Sequence, residues 1–424
     1  MNKNIFYILA LSLLSINISA QKTTLFMGGI AHLGNGEKIG NSIIVVKDGK
    51  FDLVADASRI RIDPSAFDTI IRIYGKHIYP SFISPNTTLG ITEIDAVKAS
   101  EDYSEVGRFN PNVRSLIAFN TDSKVLKTVR SNGVLITQAT PRGGVISGSS
   151  SVMYLDGWNW EDAQIKPDDG IHLNWPSSFH TSGWWAEPGS TSENKNYNNS
   201  VNEIRNYFEI AKSYFESSVE IDIELESTKG LFDGSKNLYV HADYAKDIQV
   251  SVRMFKDFGI QNVVIVGGKG SLGALRILKE ENIPIILERV HSLPRNEDSP
   301  IDQFYVLPKQ LQEEGILFCL AYNGDMEAMG SRNLSFTAGT SVAYGLEMEK
   351  AISTITLNTA KILGINENIG SIERGKEATF FISSGDALDM RTSNVEQAFI
   401  KGNPVDLNNH QKELFNKYKI YFIN

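Results

Sequence analysis

A chain of 424 residues, 42% hydrophobic and 21% charged, can bury one barrel-sized core and a smaller satellite. Its 41 basic and 50 acidic side chains give a formal charge of -9, so the composition offers no footprint for a phosphate backbone, and nucleic acid is not an expected partner. The single cysteine, Cys319, excludes an internal disulfide.

The chain opens with Lys3, an apolar run from Ile5 to Leu14, and Ile16-Asn17-Ile18-Ser19-Ala20 before Gln21. That order predicts a secretory signal peptide over residues 1–20, cleaved after Ala20. The run is too short for a hydrocarbon core of roughly 30 Å and no later segment reaches that length, so no membrane span is expected. Export of a chain without disulfides fits a bacterial periplasm.

Short strand-like pieces follow: Thr23 to Met27, Ser42 to Lys47, and Phe51 to Ala55 after the turn Asp48-Gly49-Lys50. The far end has the same texture, with Ala378 to Ser383 and Val395 to Lys401 around Gly385 and Gly402. Between them, apolar runs alternate with helical patterns. The runs are Ile78 to Ile83, Val134 to Thr137, Leu238 to Ala242, Asn262 to Val266, Pro284 to Leu287 and Ile316 to Ala321; Tyr244 to Phe258 and Ser271 to Glu281 have helical period. Buried parallel strands separated by helices point to a barrel or a doubly wound sheet.

Three further segments stand out in the middle. Pro141 to Ser151, rich in glycine and serine, lacks the P-loop pattern and reads as a flexible loop at a barrel mouth. All five tryptophans lie between Trp158 and Trp185, either as a stacking platform for a ring or as packing beneath a loop. Glu187 to Asn202 reads as a mobile surface loop, and Glu203 to Ser218 as an amphipathic helix whose Ile204, Tyr207, Phe208, Ala211, Tyr214 and Phe215 face the core. The carboxylate pairs Glu101-Asp102 and Glu280-Glu281 have neighbours pointing apart, unlike a glycosidase pair, and Ser147 sits on no nucleophile elbow.

Three stretches taken in order carry a family likeness. The first is Gly75-Lys76-His77-Ile78-Tyr79-Pro80-Ser81-Phe82-Ile83; the second joins Arg332-Asn333-Leu334 and Tyr344-Gly345-Leu346 to Ala351–Gly364 with its Thr356-Leu357-Asn358-Thr359-Ala360; the third is Gly370-Ser371-Ile372-Glu373-Arg374-Gly375-Lys376-Glu377-Ala378. Together they resemble the amidohydrolase superfamily, in particular its imidazolonepropionase-like branch. The resemblance implies an α/β fold: a TIM-like (β/α)8 barrel over residues 79–368, with a small β-sandwich formed jointly by residues 21–78 and 369–424.

It also implies hydrolysis of carbon-nitrogen bonds in cyclic amides or peptides, driven by a cation at the C-terminal mouth of the barrel that acidifies a water. Such barrels supply a His-x-His pair on strand one, one histidine each on strands five and six, and an aspartate on strand eight. Here the strand-one positions are Asn86 and Thr88, weak neutral oxygen donors, and the strand-six position is Gly267, which has no side chain. His241 remains as a metal ligand and Asp325 as the catalytic aspartate, and two ligands do not hold a catalytic zinc.

His172, in Gly170-Ile171-His172-Leu173, is either a third metal ligand or a hydrogen-bonded core histidine. Asp325 is otherwise a structural carboxylate that caps a helix or pairs with Arg332, and His241 a satisfied buried imidazole. No cofactor is expected, with a single zinc or other divalent metal as the alternative. Two functions follow: a catalytically impaired barrel that binds a small-molecule or peptide ligand, as a homo-oligomer or paired with an active homologue; or a hydrolase with a reduced mononuclear site. Trp158, Trp160 and Arg142 are the candidate substrate contacts.

Overall fold

The computed structural model describes residues 23–422 apart from 185, 186, 218, 219, 295–297 and 325. The signal segment 1–20 and Asp325 therefore lie outside the described residues.

Both ends of the described chain build the sandwich. One sheet has the order Lys50–Asp56, Ser42–Lys47, Thr23–Met27, Thr69–Arg72. Its hairpin turns at Asp48 and Gly49, with φ of 51° and 75°, the left-handed pair that an Asp-Gly turn supplies. In the second sheet, Phe380–Ser383 pairs antiparallel with His77–Pro80, which pairs parallel with Ile30–His32, so the two ends share one ladder. Phe26, Phe380 and Phe399 meet edge-on and stacked in the core between the sheets. Ser81 divides the apolar run Ile78 to Ile83: the strand before it belongs to the sandwich and the one after it to the barrel.

Eight strands form the barrel: β1 (Phe82–Thr87), β2 (Val134–Ala139), β3 (Ile146–Tyr154), β4 (Gln164–Asn174), β5 (Asn237–Ala242), β6 (Val263–Gly267), β7 (Ile285–Glu288) and β8 (Phe318–Ala321). They hydrogen-bond in that order, and β8 comes back alongside β1 without a ladder, so the barrel is nearly closed. Seven strands are parallel; β3 runs against both of its neighbours. Residues 140–145 are too few for the crossover helix that a parallel return needs, so the chain folds back directly.

The serine run expected to be a mouth loop is instead part of β3, every residue of which is buried. Its hydroxyls are satisfied: Ser147 accepts from Asn174, Ser149 donates to the Pro111 carbonyl, Ser150 donates to Asp169, and Ser151 accepts from the Asp168 amide. The segment read as a loop from Glu187 is also ordered, as a hairpin of Phe179–Trp184 with Glu187–Glu193, followed by the helix Tyr197–Ser217. Serine, glycine and threonine in extended backbone gave no apolar alternation by which to recognise either strand.

Period two along the strands decides what the barrel encloses. On β5, Leu238, Val240 and Ala242 face the helices while Tyr239 packs in the inner cluster with Ile136, Val152, Val266 and Ile286. Two residues beyond Tyr239, Ile136 and Ile286 come His241, Gln138 and Glu288. The interior thus changes from apolar at the floor to polar at the C-terminal mouth. Among the described residues no helix is long and apolar enough to cross a membrane.

Gly170 on β4 allows β5 this close: a Cβ there would lie 2.5 Å from the Asn237 carbonyl oxygen and 2.4 Å from the Tyr239 ring. Gly170→Ala is expected to cost about 1–3 kcal/mol in urea unfolding through overpacking; an unchanged midpoint would contradict the close approach.

Candidate functional site at the barrel mouth

The mouth is organised around Asn86, near the end of β1. Its backbone is left-handed, with φ of 49°, a conformation asparagine tolerates better than most residues. The bend is held from both sides: the Asn86 amide donates to Gln138 Oε1 at 3.0 Å, and its carbonyl accepts from Arg142 Nη2 at 2.8 Å. The side chain is committed as well. Asn86 Nδ2 donates to Glu288 Oε1 at 2.8 Å, and Oδ1 accepts from Arg142 Nη1 at 3.0 Å.

Arg142 Nη2 also reaches Glu327 Oε1 at 2.8 Å, and that oxygen accepts the Thr88 amide at 3.2 Å. One guanidinium therefore ties the ends of β1 and β2 to Glu327, which begins the turn Glu327–Gly330 after β8. Asn86, Thr88 and Glu327 are all buried.

A second chain of contacts starts deeper in the barrel. The buried Asp169 accepts from Ser150 Oγ at 2.7 Å, Gln138 Nε2 at 2.9 Å and Tyr239 OH at 2.6 Å. Burial nevertheless pushes its carboxyl above the usual range, with these donors pulling the other way. Ser150 gives its proton to Asp169, so its oxygen takes one from His172 Nε2 at 3.0 Å. His172 Nδ1 is then an acceptor, and His241 Nε2 donates to it at 2.9 Å.

Both imidazoles are neutral. Burial, with His241 and Arg142 adding to it, holds His172 well below its ordinary value, and burial with Arg142 pushes His241 down to about 3. The network thus fixes the tautomer: His241 carries its proton on Nε2 and keeps Nδ1 as a lone-pair acceptor.

His241, Gly267 and Glu288 line one cavity of about 200 Å³, together with Trp175, Asp243 and Asp247. Burial pushes the Glu288 carboxyl up to about 7; Asp243 and Glu327 raise it further, against Asn323 and Arg142. Gly267 has φ of 102°, and a Cβ there would lie 2.8 Å from Asp243 Oδ1. A side chain on β6 at this point would meet both strained backbone and a carboxylate.

The described residues do not supply the three protein donors that a catalytic transition metal needs. Both amide atoms of Asn86 are taken, Thr88 serves through its backbone, Gly267 has no donor, and Nε2 of His241 is spent on His172. Among the described residues no group of three His, Cys, Asp or Glu side chains is placed to hold a metal ion.

The other sequence candidates separate. Arg142 is at the mouth, but its guanidinium is engaged with Asn86 and Glu327 rather than offered to a substrate. Trp158 and Trp160 lie in the turn after β3, whose last residue Tyr154 pairs with Ile136, so they sit toward the opposite end of the barrel. Trp158 is 90% exposed and Trp160 packs against the outer core; neither is a mouth residue, because the antiparallel β3 carries the chain downward. Glu288, Glu327, Asp169 and Asp247 were missed. For Glu288 the signal existed: it ends the apolar run Pro284 to Leu287, where a barrel strand meets the mouth.

A nearly closed eight-stranded barrel with a two-ended sandwich and a polar C-terminal mouth defines a TIM-like barrel with an added β domain. The amidohydrolase family model matches residues 189–405, slightly more than half of the sequence, and the chain belongs to that family. The imidazolonepropionase of Flavobacterium johnsoniae is 22% identical over 395 residues, covering 86% of this chain and 90% of that one. An amidohydrolase from Thermotoga maritima superimposes with a TM-score of 0.75 at 23% identity, over 90% of this chain and 99% of that one. An adenosine deaminase from Xanthomonas campestris with bound zinc gives 0.53 at 12% identity, over 95% and 98%. These solved structures share the fold.

Two variants test the mouth. Arg142→Met strands the buried Glu327 and the Asn86 oxygens and should cost about 2–4 kcal/mol in urea unfolding; Arg142→Lys should recover little, since an ammonium cannot reproduce the fork. Glu288→Gln probes the raised carboxyl, whose contribution to stability is present below the ordinary value of 4.5 and lost as pH rises through about 7. The variant should gain on the wild type between pH 5 and pH 8 by on the order of 2 kcal/mol, allowing for the cavity's access to water. A pH-independent difference would contradict the shift.

Proposed function

We propose that this protein is an exported, periplasmic amidohydrolase-family barrel that binds a small polar ligand at its mouth and does not hydrolyse it through a metal. The observation that carries the reading is the Arg142 guanidinium closed on Asn86 and Glu327 at the strand-one position. It supplies fixed positive charge but has no open coordination site for water, so it cannot generate the metal-bound hydroxide that amide hydrolysis in this family calls on. The signal-like order from Lys3 to Ala20 supports export.

A second reading, a hydrolase with a reduced site of His241, His172 and Asp325, draws on the convergence of the two imidazoles at 2.9 Å. Elemental analysis of protein purified without added metal decides between them. The expected result is far less than one zinc per chain and no turnover of cyclic amides or dipeptides. Stoichiometric zinc with amide hydrolysis abolished by His241→Ala would overturn the binding role and establish the reduced site.

A further inference from the structure

The helix His410–Tyr418, with the turn Lys419–Tyr421 after it, rests on the outer side of the barrel. Two side-chain bonds pin its start to the helix Lys124–Arg130 and the serine after it: Asn409 Nδ2 donates to Ser131 Oγ at 2.8 Å, and Thr128 Oγ1 donates to Gln411 Oε1 at 2.9 Å. Beyond that point every residue of the helix is exposed. A helix of 9 residues with no buried side chain is marginal in water, so a surface that takes up its apolar side would stabilise it.

That side is largely aromatic. Leu414, Phe415 and Tyr418 share one face by their spacing, and the turn carries Tyr421 and Phe422 on from it, the Tyr418 and Tyr421 rings lying 6.4 Å apart. Phe415 is 67% exposed, Tyr421 73% and Phe422 85%.

Cations edge the aromatic face. Lys417 Nζ lies 5.2 Å from the centre of the Tyr418 ring, and Lys419 Nζ 5.8 Å from that of Phe415. Lys412 is on the same helix, and the exposed Lys124 and Lys127 are on the helix it rests against. Against these stand Glu413 and, just before the second helix, Asp122. The patch is therefore basic in a chain whose formal charge is -9.

The geometry points to a bilayer surface bearing anionic phospholipid as the partner that covers this face. Phenylalanine and tyrosine seat at the boundary of headgroups and acyl chains, while the lysines beside them meet the phosphates. A second copy of the chain is the poorer occupant, because a twofold contact would set each lysine cluster against its own image. The helix Lys124–Arg130 leads through Ser131 into the start of β2, which is the end of the barrel opposite the mouth. Docking there leaves the mouth open.

The full-length mature protein is sedimented with vesicles of phosphatidylcholine alone and of phosphatidylcholine and phosphatidylglycerol in equal parts, at low and high salt. Partitioning should be at least about tenfold stronger on the mixed vesicles, and salt should remove most of the difference. Lys417→Gln combined with Lys419→Gln should weaken it about tenfold, and Phe415→Ser combined with Phe422→Ser at least as much. Both pairs are exposed, so the urea midpoint should not move; if it does for the second pair, Tyr421→Ser is read in its place. Equal partitioning onto the two vesicles, no partitioning, or indifference to both pairs would overturn the lipid assignment. A concentration-dependent dimer in sedimentation velocity that Phe415→Ser with Phe422→Ser dissolves, without vesicle binding, would overturn it and give the face to a second copy.

Discussion

The guanidinium of Arg142 is the fixed charge on which the barrel mouth is tied together. It accepts nothing and donates in a planar fork, so it fixes Asn86 through both the side-chain and backbone oxygens while pairing with Glu327. Its positive charge adds to burial in keeping His172 and His241 neutral and works against burial at Glu288. A divalent ion in such a barrel would bring charge together with vacant coordination positions. The guanidinium brings only charge, and its directions are already assigned. Asn86 is its counterpart, accepting from Nη1 through Oδ1 while donating to Glu288 through Nδ2.

The polar layer is a consequence of strand period. Once Tyr239, Ile136 and Ile286 pack the inner floor, His241, Gln138 and Glu288 must emerge inside the barrel two residues later. The demands of Gln138 and of His241 Nε2 are met locally by Asp169, Ser150 and His172 in a network linking β2, β3, β4 and β5, while Glu288 is bonded by Asn86. The antiparallel β3 is what brings Ser150 into it. A parallel third strand would need a crossover through residues 140–145, and that segment is too short to provide one.

Local patterns, apolar runs between helices and Asp-Gly at a hairpin, made legible a barrel or doubly wound sheet between two β-rich ends, and the family resemblance narrowed this to the barrel with its two-ended sandwich. It also put His241, Gly267 and Asn86 at strand ends, where the structure has them around one mouth. What it could not convey was partnership. Arg142 meets Asn86 across 56 positions, and Glu327 across 185, through a left-handed residue that no motif announces. Trp158 and Trp160 were misplaced for a topological reason, since the reversal of β3 sends the following turn away from the mouth. Asp325 falls outside the described residues.

Position 267 bears on how such a mouth can change. Placing a histidine there would put a Cβ 2.8 Å from Asp243 Oδ1 on a backbone with φ of 102°, so accommodating it requires the β6 terminus to move. Moving it disturbs the cavity wall that Gly267 shares with Asp243 and His241. Replacing Asn86 by histidine would leave the Arg142–Glu327 pair and the bond to the backbone carbonyl in place and alter the side-chain bonds to Arg142 and Glu288. The two positions are therefore coupled to different parts of the scaffold, one through backbone conformation and the other through side-chain hydrogen bonds. Neither substitution alone would rebuild a metal site, and each would first remove an interaction that orders the mouth as it stands.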